Sequence, residues 1–408
     1  METRNIINTF VLNGPLFYFS IAPLIGVKTT EEEGAGIQYK IMMALLLVVG
    51  FYYFLRGLYN RRVFTLKEVL PLSILVIYII DGYIQGYETN VVYLMMICFS
   101  LPAVCIALNM KEYDTLAGMM KWLDLFLPIF SLSFLFQIYE IYLSKLEGGS
   151  FYSQSASYRI AFCFLVDVFL LRYGHLVSPF EFLNKKWYRI FKICLLPYFV
   201  VMAFFAGGRG AFVTMLVGLL FNIDLLTHNA KLMKRMVYVA IGVTLALVVG
   251  LSMLDDDSEF KEFFVGNFNR ITALVDFQNM DTGNATSGRD EIYSDALGFI
   301  ADRPVYGYGL YAYLFKMEMF PHNIFLEILL QGGLLFLTVF CFMLVMSYGK
   351  YRKMLQFDKS QILLMPFAIY AFTELLFSSS YTYEPLFWFV LTYIYNFGFP
   401  EKQLVENG

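Results

Sequence analysis

Apolar stretches alternate with short polar ones along the whole chain, and most of the apolar runs are long enough for a helix to cross a bilayer, which takes roughly 20 residues. The pattern predicts twelve spans, at about 10–27, 41–59, 67–84, 91–109, 122–143, 158–177, 190–206, 210–227, 236–254, 323–347, 361–380 and 384–399. One long polar stretch, 255–322, interrupts them. The chain therefore divides into spans one to nine (1–254), a large loop with amphipathic helices (255–322), and spans ten to twelve with a tail (323–408). No repeat of fixed period and no pair of matching halves is visible.

Composition agrees with an all-α integral membrane protein. Of 408 residues, 59% are apolar, 19% aromatic and 15% charged, whereas a soluble domain is about a quarter charged. The first apolar run holds Gly14-Pro15 and Pro23 and leads into the acidic "TTEEEG". It lacks the small-residue cleavage site of a secretory signal. Cys98, Cys105, Cys163, Cys194 and Cys341 all lie inside apolar runs, without CxxC spacing. They read as small buried apolar residues rather than disulfides or ligands.

Lysine and arginine set the orientation. With a cytoplasmic N-terminus, 20 of the 30 Lys and Arg fall on the inner side. Half of the other ten lie in the long loop, which can translocate regardless of charge. Both termini are thus expected in the cytoplasm and the 255–322 loop outside the cell's plasma (inner) membrane.

That orientation singles out the few outer cations. Arg209 sits in "FFAGGRGAFVTML", in a turn between spans seven and eight, among Gly207, Gly208 and Gly210. Span eight presents its N-terminus there, the positive end of the helix dipole, so an arginine is unfavourable without an anion. The competing reading is an arginine that snorkels to lipid headgroups. Arg289 opens "SGRDEIYSDALGFIADRP", an amphipathic helix with Ser287 as N-cap and Pro304 as its stop. It is again at a helix start, unless it merely pairs with Asp290 or Glu291. His322, in "PHN", precedes span ten, with Pro321 suited to the first helical turn. A positive helix end favours a neutral imidazole that can take a proton; the competing reading is simple packing at a helix start.

Three basic residues at three outer helix starts point to an extracytoplasmic anion site, because helix N-termini bind phosphates and arginine forks hold phosphate oxygens. A membrane-anchored phosphate or diphosphate is the natural ligand. Gly208, Gly210, Asn323, Tyr308, Arg159 and Arg303 are further candidates for substrate binding. No HExxH, acidic metal cluster or Walker loop is present, so neither a metal nor another cofactor is expected.

Other features fit two readings each. "DSEFKEFFVGNFNRITALVDF" spaces Phe260, Phe263, Phe264, Ile271, Leu274 and Val275 as a helix that lies on the bilayer or packs on the bundle. The tyrosines and glycines of "VYGYGLYAY" suit sugar stacking or an interfacial aromatic belt. Asp167 and Glu374 are intramembrane acids, functional or satisfied by neighbouring hydroxyls.

Three segments carry a resemblance. "GGRGAF", "SGRDEIYSDALGFIADRPVYGYG" and "PHNIFLEILLQGG", over roughly 200–335, are similar in order and position to the arginine turn, the second arginine segment and the His-Asn segment of the O-antigen polymerase and ligase superfamily. Gly208 stands where many members have serine, and "QGGLLF" where many have a Glu-Gly or Gly-Ile-Gly pattern. The resemblance implies a metal-independent, inverting glycosyltransferase of the GT-C type. Its donor would be an undecaprenyl-diphosphate-linked oligosaccharide. Arg209 and Arg289 would hold the diphosphate, with His322 assisting the acceptor hydroxyl or orienting the site. Membrane lipid, a chain-length regulator and a flippase are candidate partners; nucleic acid is not. A polysaccharide polymerase is preferred to a ligase acting on lipid A-core or protein, because polymerases are diverse in sequence and the chain matches no ligase closely. A twelve-helix transporter using Asp167 and Glu374 is the remaining alternative, disfavoured by the lack of two halves.

Overall fold

In the computed structural model the described residues are 2–26, 37–59, 66–87, 90–110, 114–146, 153–223, 238, 242, 258–272, 289–317 and 319–398, and among them there is no strand. The helices are α1 (Glu2–Leu12), α2 (Gly14–Ile21), α3 (Ile37–Tyr59), α4 (Leu66–Ile84), α5 (Val91–Met95), α6 (Leu101–Asn109), α7 (Asp114–Leu146), α8 (Gln154–Tyr173), α9 (Lys186–Ala206) and α10 (Arg209–Phe221). They continue with α11 (Glu259–Thr272), α12 (Arg289–Asp302), α13 (Ala312–Lys316), α14 (Ile324–Phe357), α15 (Met365–Phe377) and α16 (Pro385–Asn396). A wide π turn, Met96–Ser100, joins α5 to α6 just before Pro102, whose ring and missing N–H do not fit a continuous α-helix.

Seven helical segments are long and apolar enough to cross a membrane, or eight if the bent pair α1–α2 counts as one. Twelve spans is thus more than the described residues carry. Span nine lies outside them. The apolar helix of span eight covers only Arg209–Phe221, and that of span three Val69–Ile84. Span twelve corresponds to the 12-residue α16.

α8 is the centre of the bundle. Every residue from Ala156 to Leu170 is buried, which a helix apolar on all sides requires. It packs on α7, α9, α10 and α15. In contrast, α3 and α14 expose Ile41, Leu45, Val48, Leu335, Val339 and Phe342. Such apolar faces are stable against lipid tails, since each helix satisfies its own backbone hydrogen bonds. Cys98, Cys105 and Cys163 are buried as expected, but Cys194 and Cys341 are exposed; they face outward from the bundle because their helices bury only one side. The loop helix α11 packs on α7 and α9: Phe263 is buried against Phe205 and Tyr142, and the partly buried Phe264 meets Phe204. Ser287, Leu274 and Val275 lie outside the described residues.

α14 is broken. Gly333 has φ 60° and ψ −156°, a conformation open to glycine and strained for any side chain. The interrupted backbone finds partners in the loop after α12: Tyr308 and Gly309 donate to the carbonyls of Leu330 (3.0 Å) and Gln331 (2.8 Å), while Leu334 and Leu335 donate to Pro304 (2.8 Å) and Val305 (3.2 Å). Gly307, at φ 62°, has no room for a Cβ, which would fall 2.6 Å from the Gln331 carbonyl and 2.7 Å from the Gly332 nitrogen. The glycines of "PVYGYG" therefore serve close backbone docking. Above the break, Glu327 and Gln331 are fully buried; Ser380 donates to Glu327 at 2.6 Å, and the Tyr381 hydroxyl (2.7 Å) and Tyr78 hydroxyl donate to Gln331 Oε1.

Candidate functional site

Arg159, Gly208, Arg209, Gly210, His322 and Asn323 lie where α8, α10, α14 and α16 begin and α9 and α15 end. Gly208 is the N-cap of α10 and Arg209 its first residue. A Cβ on Gly208 would strike Ser157 of α8, and one on Gly210 would strike the Tyr158 hydroxyl and approach Phe377 Cβ to 3.2 Å. The small residues on either side of Arg209 thus let the turn sit directly on the starts of α8 and the end of α15. A hydrogen bond between Thr214 and Thr373 (2.7 Å) fixes α10 on α15 one turn further in.

The residue after Phe377, Ser378, accepts a hydrogen bond from His322 Nδ1 at 2.8 Å. A carbonyl can only accept, so Nδ1 carries the proton and Nε2 holds the lone pair of the neutral ring. Burial is the main influence lowering the His322 pKa from its ordinary value; the Ser378 carbonyl opposes the shift and the charge of Arg289 adds to it. Arg289, the first residue of α12, is therefore within electrostatic reach of His322, and it also acts on Tyr158. Arg209, Arg289 and His322, 113 residues apart in sequence from first to last, converge around Tyr158, Phe377 and Ser378.

One local expectation changes. Pro321 is not in the first helical turn. Asn323 is the N-cap, its Oδ1 accepting from the amides of Phe325 (3.0 Å) and Leu326 (3.3 Å). His322 just before it adopts a left-handed conformation, φ 51°. This turns its ring toward Ser378, with the edge of Phe320 at 4.4 Å between ring centres. The strain is borne because the cap and the Ser378 bond both fix the residue.

Beside this convergence lies a cavity of about 470 Å³. His322 and Arg159 line it, with Gln154, Tyr370, Glu374 and Glu384 and the rings of Phe19, Phe99, Phe162 and Phe320. Arg159 is 8% exposed, donates to Gln137 Oε1 at 3.1 Å and lies 4.3 Å over the Phe19 ring. Tyr308 and Arg303 are not among the cavity walls. They sit in the loop docked on α14, where Arg303 (4.7 Å) and Lys316 (4.6 Å) both lie over the Tyr308 ring.

Glu384, Tyr158 and Ser378 were not singled out from the sequence. For Glu384 a signal exists: an acid directly before a proline that opens an apolar run is an N-cap, and Glu384 accepts from the Leu386 amide at 3.2 Å. Asp167 is fully buried in α8, and neither of its oxygens has a hydrogen-bond partner among the described residues. Among the described residues no three His, Cys, Asp or Glu gather as a metal site would need.

Searches of curated proteins and of solved structures find no significant match to the chain. The sequence model of one family does match, over residues 194–343, and that family is described as O-antigen ligase. The matched segment runs through the Arg209 turn, Arg289, the docked loop, His322 and the break in α14. Over that segment the chain is similar to the O-antigen ligase family, which supports a place in the O-antigen ligase and polymerase superfamily, whose members are glycosyltransferase-like enzymes acting on polysaccharides.

Proposed function

We propose that the chain is a polysaccharide polymerase of the inner membrane. It joins glycan repeat units carried on undecaprenyl diphosphate by inverting, metal-independent glycosyl transfer, with its site facing the periplasm and both termini in the cytoplasm. The observation that carries the reading is the convergence of two arginines at helix starts with a neutral imidazole. Arg209 and Arg289 bind the donor diphosphate and stabilise the negative charge it gains as the glycosidic C–O bond breaks. The first-turn amides of α10 and α12 add their dipoles. His322 Nε2 faces the reacting region and takes the acceptor hydroxyl's proton, or orients that hydroxyl. Asn323 fixes the backbone that carries the ring. Gly208 and Gly210 seat the turn on α8 and α15 and so hold Arg209 at the site, and Tyr308 and Arg303 are left for glycan contacts outside the cavity. Holding two lipid-anchored glycans at one surface removes much of the entropic barrier. A chain-length regulator and a flippase are the expected partners.

Glycan analysis of a deletion strain tests this. Loss of long chains with a single repeat still attached to the lipid core is the expected result. Loss of all attached glycan with polymer retained on the carrier makes the enzyme a ligase. An unchanged profile rejects both. Purified enzyme in excess chelator is expected to remain active.

A further inference from the structure

The 470 Å³ cavity is not used by the diphosphate reading. Its size lies within the roughly 300–1,000 Å³ of small-ligand sites. Glu374 and Glu384 both line it. Glu374 Oε2 is buried with no hydrogen-bond partner among the described residues, and Glu384 is 6% exposed. An orphaned buried acceptor needs a donor from something that enters.

The lining decides what enters. Two carboxyl groups and one arginine line the cavity, unlike the purely positive starts of α10 and α12. A diphosphate is repelled by the carboxyl groups there. A neutral ligand rich in hydroxyl donors, with an apolar ring face for Phe19, Phe99 and Phe162, fits both the acceptors and the rings. That ligand class is a saccharide.

We propose, resting on the glycosyltransferase reading above, that this cavity is the subsite for the acceptor's terminal sugar, and that Glu374 and Glu384 recognise its hydroxyls. The pair positions the sugar; His322 at the cavity's edge meets the hydroxyl that reacts. Acceptor and donor then occupy separate chemical environments, one lined by carboxyl groups and one cationic, on the two sides of one imidazole.

Calorimetry on the purified full chain tests this with two probes: the neutral oligosaccharide freed by mild acid from the lipid-linked precursor of the deletion strain, and inorganic diphosphate. The oligosaccharide is expected to bind the unaltered protein. Glu374→Gln and Glu384→Gln are each expected to weaken it at least tenfold and to leave diphosphate binding unchanged. Arg209→Ala is expected to do the reverse. Ser155→Phe narrows the cavity without touching a charge and is expected to exclude the oligosaccharide even if a carboxylate variant folds poorly. Unchanged oligosaccharide affinity in both Gln variants, competition between the two probes, or no oligosaccharide binding to the unaltered protein would each overturn the assignment. Oligosaccharide binding without any diphosphate binding would uphold the cavity and count against the arginine site instead.

Discussion

His322 and Ser378 are joined by a hydrogen bond of 2.8 Å from Nδ1 to a backbone carbonyl. That bond leaves one tautomer, with the lone pair on Nε2. If Nε2 takes the acceptor proton, His322→Ala and His322→Gln lose activity by a similar large factor, on the order of 10²–10⁴. Donor binding is retained in both. A Gln variant with near-normal turnover would make the ring a positioning group. Turnover and donor binding on the same preparations decide.

The pH behaviour follows from the same ring. Burial and Arg289 lower its pKa, so the neutral form persists below the pH at which an ordinary histidine protonates. Activity is expected to hold as pH falls past the ordinary histidine value and to drop only at the lower, folded-state pKa. Removing the Arg289 charge favours the imidazolium, so Arg289→Gln is expected to raise the His322 pKa. Carbethoxylation of His322 against pH, read on its own peptide by mass spectrometry, measures the shift without needing activity. A downward shift or none contradicts the placement of Arg289.

Arg209→Lys keeps the charge at the start of α10 but loses the two-pronged guanidinium. Chain-length profiles are expected to collapse with protein level unchanged. Arg289→Ala is expected to do the same. Normal profiles from both variants would reject the diphosphate assignment.

The break in α14 makes a stability prediction. Gly333→Ala puts a Cβ against the Val305 backbone and within 2.6 Å of the Pro304 carbonyl, at a φ of 60°. Gly307→Ala meets the Gln331 carbonyl at 2.6 Å. The left-handed conformation alone costs roughly 1–2 kcal/mol, and the backbone collisions add to it. Both variants are expected to lower the unfolding temperature of the purified protein, whereas Gly298→Ala, which meets nothing within 4 Å, is expected to be near neutral.

Topology is tested by reporter fusions. One after Lys402 is expected to report cytoplasm and one within Asp281–Ser287 periplasm. The same compartment for both would refute the proposed orientation.

The legible part of the molecule was what depends on local composition. Apolar length marked the membrane helices, and helix-start chemistry put Arg209 in the turn before span eight and Arg289 in the first turn of the next helix; in the fold they are the first residues of α10 and α12. His322 was found for the same reason, although Asn323, not Pro321, begins the helix. The break at Gly333 was not legible. "QGGLLF" sits inside an uninterrupted apolar run, and the groups that satisfy its freed backbone come from Pro304–Gly309, outside any local window. Glu384 was hidden because its importance comes from Glu374, on another helix. The short α16 read as a full span because Phe397 and Phe399 extend its apolar run.

The interlock at Gly333 also has a mechanical meaning. α12 starts at Arg289 and runs into the loop held by four main-chain hydrogen bonds across the break; α14 starts just after His322. The arginine and the imidazole are thus carried on two arms of one rigid bracket, pinned at Gly307 and Gly333. Under the proposed reaction, a glycan pulling on the loop would move both together, and the spacing between the arginine at the diphosphate and the imidazole at the acceptor hydroxyl would be kept by peptide geometry.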